Sequence, residues 1–482
     1  MMEDEAAMYS SADELLAINP TSPLFKVYKR RWFMLLLFCL SSMGNAIAWI
    51  TFSPISDKVG DFYDTTSLWV NMLSILFMAV YIPLVFPASW ALDTMGLHFG
   101  VLAGTITTCI GAGVRGFGKW SFWAVFIGQL IAAIGQPFIL NAQSLIAANW
   151  FPANQRALAT TIASVSNPIG VGIGMVLPSM VVHKAEDLPT LLYVEAGVVL
   201  AFSLPLIAFF RGAPPTPPSA SAARQVVPGS YVRSTLRTLS NPNFWVLLLQ
   251  FSLALGAFNT LATLLNEVIQ PYGYSNSEAS VLGVLAVGCG ILASGLVGAF
   301  VDYMHWYKFT LIVCLFCATG SMVMFTLLLQ PNRFPFLCVA TTLLGCSMTP
   351  VLPISLELGS EVAYPVGEAI PSGLLVTSGQ ISGIGMIFLL NHFIDNGHIP
   401  TSQYIFLSFT AVACLIMFFF KEQLNRLKDE SKKKKQQEGK RKGEDIIAPP
   451  LTASSVTYGT TDVMSMSVNP VNDPISFPFG RE

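Results

Sequence analysis

Ala91-Leu92-Asp93-Thr94-Met95-Gly96-Leu97 follows one long apolar segment of this chain, and Gly298-Ala299-Phe300-Val301-Asp302 ends another. The two aspartates stand 209 positions apart, and other landmarks recur at nearly the same offset. Gly44 and Gly256 are 212 apart, Pro152 and Pro365 213, Asn167 and Gln380 213, and Gly170-Val171-Gly172 precedes Gly383-Ile384-Gly385 by 213. Single matches arise by chance; an ordered series points to an internal repeat. Two parallel repeats of membrane helices place a binding site where the repeats meet.

Composition supports the membrane reading. Of 482 residues, 53% are hydrophobic and 11% charged, against roughly a quarter charged in an ordinary soluble domain. Too few charges remain to coat the several domains that a soluble chain of this length would form, which excludes a soluble multidomain enzyme. The net charge of −2 excludes a nucleic-acid partner, because no basic face is available to track phosphates. About 20 apolar residues cross ~30 Å of hydrocarbon as a helix, and lipid permits little else. Twelve such windows are present: 32–52, 68–90, 97–116, 120–148, 158–181 and 190–210, then 244–268, 278–301, 308–329, 334–361, 368–393 and 401–420. They predict an all-α integral membrane protein with six-helix bundles at 26–210 and 244–425. The linker at 211–243 carries Pro214, Pro215, Pro217 and Pro218, which cannot continue a helix. An acidic N-terminal tail, 1–25, lacks the basic start of a cleavable signal peptide, and the polar tail at 426–482 reads as disordered.

Orientation follows the placement of Lys and Arg. With both termini in the cytoplasm, cytoplasmic segments hold 21 of the 26 basic residues, and only Lys58, Arg115, Lys119, Lys184 and Arg333 face outward. The basic cluster at 432–435 and 440–442 suits anionic lipid headgroups. A plasma-membrane protein is expected, with a lysosomal or other endomembrane site as the alternative because Asp13-Glu14-Leu15-Leu16 has the form of a sorting signal. A monomer is expected. All eight cysteines lie in apolar stretches and read as reduced, buried small hydrophobes; the Cys314–Cys317 pair has no second pair or histidine beside it, so no metal and no cofactor is expected. ATP hydrolysis is disfavoured by the absence of a phosphate-binding G-x-x-x-x-G-K-[ST] loop.

Two groups of residues carry chemistry. At the cytoplasmic helix ends, Asp93 and Asp302 can bind neighbouring helix N-termini, whose free N–H groups and dipole favour an anion. Arg156 lies beside the fourth span and Glu357, Glu361 and Glu368 beside the tenth. Arg156 with Asp93, and the glutamates with Lys308 or helix N-termini, form the expected inner gate. At mid-depth the polar groups are uncharged: Asn45 and Trp49 in span one, Gln136 and Asn141 in four, Asn167 in five, Asn259 in seven, and Gln380 in eleven. In lipid such groups need partners or line a hydrated cavity. An amide-lined cavity with an aromatic wall suits a small organic solute held by shape, hydrogen bonds and cation–π attraction. With no central titratable group, uniport or exchange is expected rather than proton coupling. No nucleophile, acid and metal converge, so an enzyme is not expected; a non-transporting receptor or sensor is the other class kept open.

The two aspartate stretches resemble the loop signature G-x-x-x-D-[RK]-x-G of the major facilitator superfamily. The resemblance implies two pseudo-symmetric six-helix bundles that alternate access by rocking. Asp93 and Gly96 match the first copy, while Ser89 and Thr94 depart from it; Gly298 and Asp302 match the second. Tyr28-Lys29-Arg30-Arg31-Trp32, Asn45-Ala46 with Trp49, Glu361 to Pro365 and Ser372-Gly373-Leu374-Leu375 are similar to the feline leukaemia virus subgroup C receptor-related family, over about residues 28–425. Ser166-Asn167-Pro168-Ile169-Gly170-Val171 and the proline run at 214–218 are closest to its major facilitator domain-containing branch. Choline transport is implied by that resemblance, with Trp49 and Gln380 matching two cage positions while Asn259 and Pro168 depart from two others. Haem transport, also implied by the family, ranks lower because His98, His183, His305, His392 and His398 all lie at loops or helix ends.

Overall fold

The computed structural model describes residues 26–152, 155–218, 231–364, 366 and 369–422. Its regular structure among these residues is all helix, and twelve helical stretches are long and apolar enough to cross a membrane. In the first half these are α1 (Arg30–Ile50), continued by the short amphipathic α2 (Ser56–Tyr63), then α3 (Ser67–Thr94), α4 (Gly96–Arg115), α5 (Phe122–Asn141) with α6 (Gln143–Trp150), α7 (Arg156–Val181) and α8 (Leu188–Phe209). After α9 (Tyr231–Leu239), the second half comprises α10 (Pro242–Ile269), α11 (Asn276–Met304), α12 (Tyr307–Leu328), α13 (Phe334–Met348) with α14 (Val351–Ala363), α15 (Ala369–Asp395) and α16 (Ile399–Phe418). Lys26 and Glu422 lie at the same side of the bundle, called the tail side below; the opposite side is the far side.

Every expected window is a helix, and the ends differ by a few residues. Two features of the loops were not anticipated. The linker contains helix α9 beyond its proline run, and α2 lies across the far side, where Lys58 Nζ donates to Val182 O at 2.7 Å. Spans four and ten are each broken into two helices, the second at Thr349-Pro350, where proline cannot donate to the helical ladder.

Small residues let the helices approach closely, which is how membrane helices gain packing energy without a hydrophobic drive between them. Between α4 and α5, a Cβ added at Gly128 would lie 2.6 Å from Arg115 Cγ and 2.7 Å from Gly111 O. Larger residues there would force the two helices apart.

Arg115 corrects the sequence reading. Counted among the outward-facing basic residues at the end of the third span, it is instead 1% exposed, paired to Glu195 of α8 at 2.5 Å, bonded to Ala48 O of α1 at 3.2 Å, and stacked over the Phe52 ring at 4.7 Å. The helix runs past Arg115 into a further turn at Gly116–Lys119, carrying the arginine into the bundle. The cysteines are the second correction: all eight are free, but only Cys39, Cys314 and Cys414 are buried, Cys109, Cys289, Cys338 and Cys346 being half-buried and Cys317 exposed on α12.

Glu195→Gln strips Arg115 of its counter-charge and is expected to lower stability by about 3–5 kcal/mol, whereas the double change Arg115→Met with Glu195→Met restores most of it. Thermal unfolding of the detergent-solubilised protein measures both; a Glu195→Gln variant as stable as the parent would show that the pair is not needed.

Candidate functional site at the seam between the halves

At the far side the halves are joined by hydrogen bonds from residues that look like ordinary loop or helix-end polars in sequence. Ser53 Oγ reaches Ala262 O at 2.5 Å and Thr263 O at 2.8 Å, entering the last turns of α10. Asp57 of α2 accepts from Asn266 at 3.2 Å, Gln270 at 3.2 Å and Asn276 at 2.5 Å. A second set links α3, α10 and α15: Asn71 Nδ2 donates to Glu267 Oε2 at 3.1 Å and to Asn391 Oδ1 at 2.8 Å. Asn391 Nδ2 in turn reaches Asp395 at 2.7 Å, and Ser67 reaches the same carboxylate at 2.6 Å. Spacings of four residues, Ser67/Asn71 and Asn391/Asp395, put each pair on one helix face, a signal available in sequence.

Deeper in the seam, α3 faces α15 and α7 faces α11. Trp49 Nε1 donates to Ser74 O at 3.3 Å, and Met78 lies one turn further along the same face of α3. A Cβ built on Gly383 would lie 3.5 Å from Met78 Sδ and 3.6 Å from Asn259 Cβ. Asn259 Nδ2 donates to Gln380 Oε1 at 3.0 Å. Asn259, paired to Gln380, thus comes up beside Met78 from the second half, while Trp49 of the first half bonds α3 one turn from Met78; all three are buried. An apolar groove of about 450 Å³ opens sideways between α7 and α11, with Pro168, Ile173, Met180 and Val287 among its walls.

The other expected site residues separate. Asn45 turns into the first half, donating to Thr108 Oγ1 at 3.0 Å and Ala132 O at 3.2 Å, so that it ties α1 to α4 and α5. Asn141 ties α5 to α3 through Ser89 Oγ at 3.0 Å, Val85 O at 3.4 Å and the Tyr81 hydroxyl at 3.4 Å. Gln136 is buried with Oε1 unpartnered, and Asn167 has an unpartnered Nδ2.

On the tail side, Asp93 is exposed, and no hydrogen bond or ion pair among the described residues brings it to Arg156. Arg156 Nε donates to Phe151 O at 3.3 Å and has further contacts. Glu357 accepts from the Tyr307 hydroxyl at 3.0 Å, and Glu361 is buried with partners of its own. Lys308 Nζ goes to Phe418 O and Phe420 O, at 3.1 and 2.6 Å, neutralising the C-terminal end of α16 rather than reaching the glutamates. The side chain of Asp302, residue Glu368, the acidic N-terminal tail with its dileucine stretch, and the basic cluster at 432–442 lie outside the described residues.

The sequence profile of the Major Facilitator Superfamily matches residues 34–386. The chain belongs to that superfamily. Solute carrier family 49 member A3 of Xenopus tropicalis is 33% identical over 395 residues, covering 79% of this chain and 82% of its own. The choline/ethanolamine transporter FLVCR2 of Homo sapiens is 32% identical over 419 residues, covering 84% and 80%, and FLVCR1 of Felis catus is 35% identical over 379 residues, covering 75% and 68%. Within the superfamily the chain is therefore a member of the feline leukaemia virus subgroup C receptor-related group. Among solved structures, a bacterial homologue of the human lysosomal transporter Spinster matches with TM-score 0.62 at 15% identity, over 82% of this chain and 97% of that one. FucP in its outward conformation matches with TM-score 0.60 at 15% identity, over 82% and 99%. These two show the shared twelve-helix major facilitator fold.

Asn71→Ala removes two far-side bonds at once. It is expected to shift the protein by on the order of 1–3 kcal/mol toward a form open on that side, read as at least fivefold faster labelling of a cysteine placed at Ser74 by a membrane-impermeant thiol reagent. An unchanged labelling rate would remove Asn71 from the closure.

Proposed function

We propose that this transporter moves a small organic cation of the choline type by alternating access, with Trp49, Asn259 and Gln380 at the centre of its site. The observation that carries this reading is that Trp49 of the first half bonds α3 one turn from Met78, while Asn259 of the second half, paired to Gln380, comes up beside Met78 at the seam. An aromatic face attracts an ammonium group by about 0.5–2 kcal/mol, more as water is removed, and amide carbonyls add dipoles without fixing a counter-charge. A site shared between halves changes shape when residues 26–210 rock against 244–425. The names of the relatives, choline/ethanolamine transporters, support the solute class.

Gln136 and Asn167 line the same seam in this reading, while Asn45 and Asn141 position α1, α3 and α5 behind it. Asp93, Arg156, Asp302, Glu357, Glu361 and Glu368 serve the tail-side gate, which opens as the far-side bonds of Asn71 and Ser53 close. The nearest carboxylates are engaged by protein groups, Glu195 by Arg115 and Glu267 by Asn71, which favours uniport or exchange over proton coupling. The protein acts without catalysis, as a monomer with both termini in the cytoplasm, in the plasma membrane or an endomembrane.

Uptake of radiolabelled choline into proteoliposomes tests this. Trp49→Ala is expected to raise KM about tenfold, the equivalent of 1.4 kcal/mol, and an imposed proton gradient is expected to leave the initial rate within twofold. Equal uptake by parent and Trp49→Ala removes Trp49 from the site; steep stimulation by the proton gradient, abolished in Glu267→Gln, overturns uniport.

A further inference from the structure

Among the described residues fifteen buried side-chain polar atoms have no protein partner, and four of them, Ser42 Oγ, Gln136 Oε1, Asn167 Nδ2 and Thr377 Oγ1, belong together by depth. Helix register brings them to one level. Gln129 Nε2 donates to Ala48 O at 2.9 Å and Asn45 to Ala132 O at 3.2 Å, so α5 runs antiparallel to α1 in matched steps. Gln136 is seven residues beyond Gln129, on the same face, and on that register stands opposite Ser41 and Ser42. Helix α7 runs parallel to α1: a Cβ on Gly170 would lie 2.6 Å from Met43 O, and one on Gly174 would lie 3.0 Å from Ile47 Cα. Three residues back, Asn167 reaches the level of Leu40 to Met43.

Ser42 lies seven residues before Trp49 and therefore on the same face of α1, about 10 Å nearer the tail side at 1.5 Å per residue. In the second half, Gly373 faces α3, where Val85 Cγ2 would lie 3.7 Å from an added Cβ. Thr377 and Gln380, four and seven residues on, share that face, so Thr377 sits one turn tailward of Gln380. The Asn259–Gln380 pair, beside Met78, lies between the two levels.

Each orphaned buried polar group costs stability unless a ligand or water meets it. Four from four different helices, none charged, form a matched set: two hydroxyls that donate or accept, one carbonyl oxygen that accepts, and one amide that donates. Ser42 is fully buried and Gln136 is 7% exposed, so bulk water does not solvate them.

We propose that Ser42, Gln136, Asn167 and Thr377 form a second subsite that hydrogen-bonds an uncharged polar group, a hydroxyl or carboxamide, at the end of the solute remote from its ammonium. This rests on the reading of Trp49 as the cation site and extends it: the solute is longer than choline, with about 10 Å between the ammonium nitrogen and the polar terminus. A two-carbon spacer covers only about a third of that distance.

The test uses trimethylammonium alcohols with two and six carbons between nitrogen and hydroxyl, in proteoliposomes of the full chain. The six-carbon alcohol is expected to show a KM about tenfold below that of the two-carbon one, and Ser42→Ala or Gln136→Met to abolish most of that difference. No chain-length preference in the parent, or its retention in both variants, overturns the subsite. If the parent moves neither probe, the cation reading of Trp49 fails, and thermal unfolding of the purified, solute-free protein decides the subsite alone. Removing an orphaned polar group should leave Tm unchanged or higher in Ser42→Ala and Gln136→Met; a drop of several degrees in both marks them as packing residues and overturns the proposal.

Discussion

Hydrocarbon offers no hydrogen bonds, so every polar side chain in this bundle must find its partner within the protein or sit where a solute or water can reach it. That constraint sorts the polar residues into three kinds. Some bond inside one half, as Asn45, Asn141 and the Arg115–Glu195 pair do, even where a second atom such as Asn45 Oδ1 or Glu195 Oε1 is left over. Others are satisfied only across the halves, as Asn71, Ser53 and Asp57 are. Others, among them Ser42, Gln136, Asn167 and Thr377, have a buried atom with no protein partner of its own. The first kind makes each half rigid, the second holds one side of the seam shut, and the third is the natural place to look for a ligand.

The energetic contrast between the first two kinds is what permits motion. A buried ion pair stripped of one partner costs several kcal/mol, so the Arg115–Glu195 contact keeps α1, α4 and α8 together through any movement. The far-side closure uses amides and hydroxyls that donate to carbonyls and to the carboxylates of Asp57, Glu267 and Asp395, each bond with a net contribution of about 0.5–3 kcal/mol. Bonds of that size can be exchanged for water when the side opens, and a difference of a few kcal/mol between two states is within reach of differential solute binding. In the proposed cycle, the solute supplies that difference by contacting Trp49 from one half and Gln380 from the other.

The tail side is built differently. Lys308, the expected partner of the gate glutamates, instead neutralises the end of α16, and Tyr307 takes Glu357. Adjacent residues on one helix thus serve different neighbours, because side chains one position apart point about 100° apart on a helix. Charge complementarity in sequence could pair Lys308 with Glu357, but only the packing of α12 against α14 and α16 selects the tyrosine for that role.

Apolar windows, proline-rich punctuation and the offset of about 210 residues between landmarks sufficed to read twelve helices in two repeated halves, since hydrophobic length and lipid leave one solution for each window. Asn259 and Gln380, which bond each other, were legible as uncharged polar residues within the spans. The burial of Arg115, the turning of Asn45 away from the seam, and the far-side network of Asn71, Asn391 and Glu267 were not. Each depends on how a helix is rotated about its axis and which neighbour it meets. Hydropathy, being nearly uniform around these helices, carries no record of that rotation; it is set by glycine contacts and polar pairing between segments more than 60 residues apart in the chain.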